Sequence, residues 1–176
     1  LDESALQGSG FLPDVCQAWE GAVAPARARG IRVVNLRIGI VLSPQGGALA
    51  QMLTPFKLGA GGVLGSGNQY MSWIALDDIL GIVFHALTDT SVSGPVNAVA
   101  ARAVTNREFT KTLGKVLHRP TVFPVPAFAV RLLFGEMGDA LLLASTRVAP
   151  TCLNETGFEF AYPDLEVALR HLLGRE

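Results

Sequence analysis

The chain has 176 residues, of which 49% are hydrophobic and 16% charged, with a formal net charge of -1. That length suits one domain burying about 70% of its unfolded surface, and the hydrophobic content excludes a disordered chain. There is no basic cluster and no apolar run near ~18 residues, so neither a nucleic-acid partner nor a membrane span is expected.

Residues 1–10 read as loop. Leu12 to Ala24 predicts a helix with the inward stripe Leu12, Val15/Cys16, Trp19 and Val23, kinked or ended by Pro25. Ile31 to Leu36 predicts a strand buried on both faces, and helix followed by such a strand is the rhythm of a parallel α/β sheet. A second helix is expected over Ala48–Leu58, with Leu49, Met52, Leu53 and Phe56 on one face. The glycine-rich run Gly59–Gly67 fails the G-x-G-x-x-G pattern, since position 64 is leucine, and reads as a tight turn beside a ligand cleft. No helix N-terminus is expected to follow a strand through a glycine loop.

Next comes GSGNQYMSWIALDDIL, a short extended run ending in two aspartates. Asp77 or Asp78 is expected to cap the helix that follows, whose stripe is Ile79, Ile82, Val83, Ala86 and Leu87. Gly94–Ala100 predicts another buried strand, and Asn97 on it serves backbone groups at a turn. Thr105 and Glu108 form a capping box for a helix striped by Phe109, Leu113, Val116 and Leu117. Thr121–Val125, between prolines, reads as an edge strand. Pro126 opens a helix carrying Phe128, Ala129, Leu132 and Leu133. Glu136 has no local explanation beyond a helix-end charge, and Leu141–Leu143 begins another apolar segment. Pro163 opens the last helix, with Leu165, Ala168, Leu169 and Leu172 inward. Cys16 and Cys152 read as small buried hydrophobes, not a disulfide, which fits a reducing, cytoplasmic setting. No histidine has another histidine or a cysteine at i+3 or i+4, so no metal site is expected.

The segments LRIGIVLSPQGGAL, GSGNQYMSWIALDD, GPVNAVA with VTNREF, RPTVFPVP, GEM and GFEFAYPDLEVAL follow one another along nearly the whole chain. In that order they resemble the atypical short-chain dehydrogenase/reductase group known as nucleoside-diphosphate-sugar epimerase-like proteins. The resemblance implies an α/β fold: the C-terminal part of a Rossmann-type, extended short-chain dehydrogenase-like protein with a small α+β substrate-side domain. The expected division is residues 1–58 as the late nucleotide-binding part, 59–93 as a cleft segment and helix, 94–104 as the last Rossmann-type strand, and 105–176 as the small domain. NADP(H) is the implied cofactor, with its pyrophosphate-binding half absent, and a start at Leu1 in a polar segment reads as a fragment. By the same resemblance Arg37, Ile38, Gly39 and Ile40 line the cofactor cleft near the nicotinamide; a structural ion pair is the other reading of Arg37. Gln69 and Trp73 hold substrate by amide hydrogen bonds and stacking, though Trp73 equally reads as a core aromatic. Arg147 stands where related epimerases place a second phosphate-facing arginine.

The chain also departs from that pattern. The superfamily's oxidoreductases use a tyrosine four residues before a lysine, but Tyr70 and Tyr162 are followed at that distance by Ile74 and Glu166. The pair's expected place, near Phe11 or Leu12 and Val15 or Cys16, holds neither, so no catalytic residue is assigned. Met71 stands where an epimerase arginine meets a diphosphate, and Ala75 where a histidine is usual. Two functions remain: part of an NADP(H)-binding epimerase-like oxidoreductase with a small unknown substrate, or a non-catalytic nucleotide-sensing or protein-interaction module. The oligomeric state is left open.

Overall fold

The computed structural model describes residues 1–175; the side chains at 133, 134, 136, 137 and 139–141 lie outside the described set, and with them the readings of Leu133, Glu136 and Leu141. Helix α1 spans Phe11–Gly21 and α2 spans Ala24–Arg27. Pro25 lies in the first turn of α2, where its missing N–H is not needed, so it starts a helix rather than kinking one. Strand β1 (Val34–Ile38) leads into β2 (Ile40–Leu42) and α3 (Gly47–Lys57). Then come β3 (Tyr70–Met71), β4 (Trp73–Ala75), α4 (Leu76–Thr88), β5 (Gly94–Ala98), β6 (Val104–Thr105) and α5 (Asn106–Leu117). Helix α6 (Ala127–Met137) is interrupted at Gly135 and passes into a π-helical turn over Gly138–Leu143. Helices α7 (Thr151–Glu155) and α8 (Leu165–Leu172) close the chain. No helix among the described residues is long and apolar enough to cross a membrane.

The pairing is parallel where the resemblance implies it. β1 pairs with β5 from Val34↔Gly94 to Ile38↔Ala98, and β2 pairs with β4 from Ile40↔Trp73 to Leu42↔Ala75. β3 and β6 form a short antiparallel pair. Successive strand residues face opposite sides, and β4 uses this to separate two cores. Trp73 and Ala75 join Leu42, Leu49, Leu53, Phe56, Phe109, Leu113 and Leu169 in one. Ile74 joins Ile82, Val92, Val96, Ala98 and Leu153 in the other.

Several elements match the sequence reading. Thr105 Oγ1 accepts the Glu108 N–H (3.1 Å), a cap of the kind that stabilises a helix by about 1 kcal/mol. Glu108 does not close the box, because its carboxylate takes Arg102 at 2.6 Å. On α8, Leu165, Ala168 and Leu169 are buried as expected, though the helix opens at Leu165 and not at Pro163, with Asp164 capping it by accepting from the Glu166 and Val167 N–H groups.

Others differ. Helix α1 buries no residue: Phe11 is 79% exposed and Trp19 73%. β1 is half-buried, not sealed on both faces, since β5 is its one strand neighbour among the described residues. On α4, Ile82 and Ala86 point inward while Val83 and Leu87 are exposed. No strand forms over residues 121–125; a single bridge joins Leu64 and Val125. On α6, Val130 is buried, and Phe128 and Leu132 face out.

The two aspartates are not caps. The N-cap of α4 is Ala75, which makes no side-chain bond. Asp78, 2% exposed, instead accepts the Ala161 N–H (2.7 Å) and the Tyr162 N–H (3.3 Å), pinning the stretch before α8 to α4. Burial pushes the Asp78 carboxyl up; the two N–H donors oppose that shift and the neighbouring Asp77 charge adds to it. The folded chain therefore binds this proton more tightly than the unfolded chain. Its contribution to stability is complete below the ordinary carboxylate pKa and is lost as pH rises through the raised value. Asp78→Asn, which cannot titrate, is accordingly expected to lose most stability against wild type near pH 4 and less near pH 7. Urea denaturation at both values checks this, and a gap that widens with pH would contradict it.

Candidate functional site

The strand exit at residues 37–40 organises the site. Gly39 N–H donates to Ala98 O (3.1 Å), and Ile40 N–H donates to Ser72 O (2.8 Å). Within two residues the chain leaves β5 as partner and takes up β4. A Cβ on Gly39 would lie 2.5 Å from Ser72 O and 2.8 Å from Val99 Cγ1, so the crossing needs a residue without one. Arg37 and Ile38 thus lie at the carboxyl end of the parallel β1–β5 pair, the edge where open α/β sheets bind ligands, while Ile40 opens the β2–β4 pair. Ile38 is exposed there, and Ile40 packs on the first core.

Arg37 takes the second of its two readings. Its Nε and Nη2 donate to the two carboxylate oxygens of Glu20 on α1 (2.7 and 2.9 Å), and Nη1 donates to Glu3 O (3.2 Å). The Arg37 guanidinium holds the Glu20 carboxyl below the usual range, and Glu20 in turn raises the guanidinium. A guanidinium spent this way is not a free phosphate hook.

The three substrate candidates do not share a surface. Gln69 is 7% exposed, and its Nε2 donates to Leu64 O (3.0 Å) and Leu142 O (3.2 Å), which ties the glycine loop to the π-helical turn. Trp73 is 1% exposed, with Nε1 donating to Arg102 O (3.1 Å); it has no ring face left for stacking. Both side chains belong to the interior, contrary to their expected roles. Arg147 is exposed, with its guanidinium 5.0 Å above the centre of the Tyr70 ring. The glycine loop packs on its own chain: a Cβ on Gly62 would meet Phe123 O at 1.8 Å.

The sequence reading missed some of the organising groups. Glu3 lay in a stretch read as plain loop, yet its Oε1 accepts the Asn97 N–H (3.0 Å) and the Cys152 N–H (3.2 Å). Asn106, 2% exposed, holds the glycine loop through the Leu64 N–H (2.8 Å). Nothing in local periodicity marks either, since their partners are 94 and 42 residues away. Asn97 Nδ2 donates to Ala149 O (3.0 Å), a backbone-serving role close to the one expected. A strand–glycine turn–helix does exist: β2 passes through residues 43–46 into α3, whose N-cap Gly46 carries no side-chain bond. A cavity of about 440 Å³ lined by Gly46, Gly47, Ala50, Gln51 and Thr54 lies beside it. Groups of three or more metal-ligating side chains are absent among the described residues.

Residues 125–172 match the family described as a domain of unknown function, DUF1731. An epimerase family protein of Mycobacterium tuberculosis is 43% identical over 175 residues, 99% of this chain and 58% of that protein. The crystal structure of human epimerase family protein SDR39U1 (isoform 2) with NADPH superposes with a TM-score of 0.91 at 36% identity, covering 100% of this chain and 60% of that one. The nucleoside-diphosphate sugar epimerase from Corynebacterium glutamicum superposes with a TM-score of 0.82 at 37% identity, covering 100% of this chain and 34% of that one. The chain spans about 58% of the length of the curated relatives it matches first.

Proposed function

The chain belongs to the epimerase family of these relatives, with an extended short-chain dehydrogenase-like fold, and on that premise we propose that it forms one wall of an NADP(H) site in an oxidoreductase acting on a small carbonyl or hydroxyl substrate. The observation that carries the reading is the strand switch at Gly39, which leaves Arg37 and Ile38 at the carboxyl edge of the parallel β1–β5 pair with Gly39 and Ile40 directly after it. Likeness to a structure holding NADPH supports the choice of cofactor.

The residues fit one end of that cofactor. Exposed Ile38 and the Gly39 backbone suit the flat face of a nicotinamide ring, while Arg37, paired with Glu20, does not suit its phosphates. On this reading the pyrophosphate grip belongs to the part of the relatives' length that these 176 residues do not span, and the longer protein is this chain together with that part. When bound, the nicotinamide supplies hydride exchange. This chain's residues orient the ring and screen it from water on the β1 side. α1 carries no tyrosine–lysine pair, so the proton is held by another group. Arg147, exposed on Tyr70, is placed for an anionic substituent of the substrate. Two free thiols, Cys16 and Cys152, suit a reducing cytoplasm.

The test is NADPH oxidation by the longer protein against a panel of small carbonyl compounds. Turnover of at least one, weakened by Arg147→Ala for anionic members of the panel, is the expected result. Binding of NADPH without any turnover would favour the nucleotide-sensing alternative.

A further inference from the structure

We propose that Glu3 is a positioning residue: its carboxylate fastens α7 to the carboxyl edge of β5 and so fixes the cofactor wall at residues 37–40. The inference rests on the NADP(H) reading for its last step only. Three elements, β5, α7 and β1, converge on this side chain and its backbone, and α1 joins through Arg37. Glu3 Oε1 accepts from Asn97 on β5 and from Cys152 on α7. Glu3 O accepts from Arg37, and Arg37 in turn grips Glu20 on α1. A second bridge runs parallel, from Asn97 Nδ2 to Ala149 O.

The physical logic is that of an edge. At Asn97 the N–H points away from β1, where an unpaired donor would be left bare. The N–H of Cys152, in the first turn of α7, has no partner within its own short helix. One carboxylate oxygen satisfies both donors, and charge-assisted bonds of this kind are stronger than neutral ones. Because Arg37 is register partner to Asn97 across β1–β5, any shift of the Glu3 strap moves both strands at the cleft. Glu3 thereby links α7, within the segment matched by DUF1731, to the residues offered to the nicotinamide.

Residue-resolved amide exchange tests this on the 176-residue chain, with the Leu169 amide in α8 reporting global opening. In Glu3→Ala the Asn97 and Cys152 amides are expected to exchange about tenfold faster together while Leu169 does not change. Glu3→Gln retains an oxygen acceptor and is expected to restore both to within about threefold. No acceleration at either amide, or equal acceleration at Leu169, would overturn the proposal. In the longer protein, NADPH affinity is expected to fall about tenfold in Glu3→Ala and to recover in Glu3→Gln. Unchanged affinity with accelerated exchange would overturn the link to the cofactor wall. A wild-type longer protein that binds no NADPH would instead overturn the cofactor reading, with the exchange experiment still deciding whether Glu3 fastens α7.

Discussion

Trp73→Ala is expected to destabilise the chain by about 3–5 kcal/mol, the usual cost of emptying a large aromatic site in a packed core. The ring is fully enclosed among Leu42, Leu49, Phe109 and their neighbours, and a void there has no solvent route for relaxation. The substitution also strands the Arg102 carbonyl, which now accepts the indole N–H at 3.1 Å. For a chain of this size the change corresponds to a drop of about 10 °C in Tm. Trp73→Phe retains most of the volume and is expected to cost clearly less. Thermal and urea denaturation of the pair measure this. A loss below about 1 kcal/mol in Trp73→Ala would return the side chain to the ligand-stacking role its sequence context suggested.

Gly39→Ala carries the second large effect, about 2–3 kcal/mol, from overpacking at a backbone crossing. The added methyl meets Ser72 O at 2.5 Å, and Ser72 O is also the acceptor for Ile40 N–H, so the contact cannot open without losing that bond. The far side is closed by Val99 at 2.8 Å. Gly46→Ala is the control: its backbone is extended, and nothing lies within 4 Å of the added atom. Urea denaturation is expected to show a loss for Gly39→Ala and little change for Gly46→Ala. Equal stability in the two would mean that the strand switch tolerates a side chain and that the edge geometry is not set by Gly39.

Local chemistry was legible where it acts locally. Thr105 caps its helix because a short side chain reaches a free N–H three residues on, and sequence spacing reports that directly. The stripes of α5 and α8 read correctly because each packs on the other within the first core. The same periodicity misplaced α1, since an amphipathic pattern says which face seeks cover but not what covers it. Asp78 had the right residue type for a cap and was drawn to a tertiary target instead, the backbone of residues 161 and 162. Gln69 and Trp73 sit in a glycine-rich setting that suggests exposure, yet three separate contacts, from Asn106, Arg107 and Val125, draw that loop inward. Glu3 was invisible for the plainest reason: its carboxylate acts on amides 94 and 149 residues away.

The measurement that bears most directly on the account is a calorimetric titration of NADPH into the 176-residue chain and into the longer protein. The proposed function gives the chain a nicotinamide wall without a phosphate grip, and dinucleotide affinity comes largely from charge-assisted contacts at a glycine loop and helix N-terminus. The longer protein is therefore expected to bind at least about a hundredfold more tightly than the chain alone. Absence of binding in both, or equal tight binding in both, would contradict it: the first removes the cofactor, and the second places the phosphate grip inside these residues.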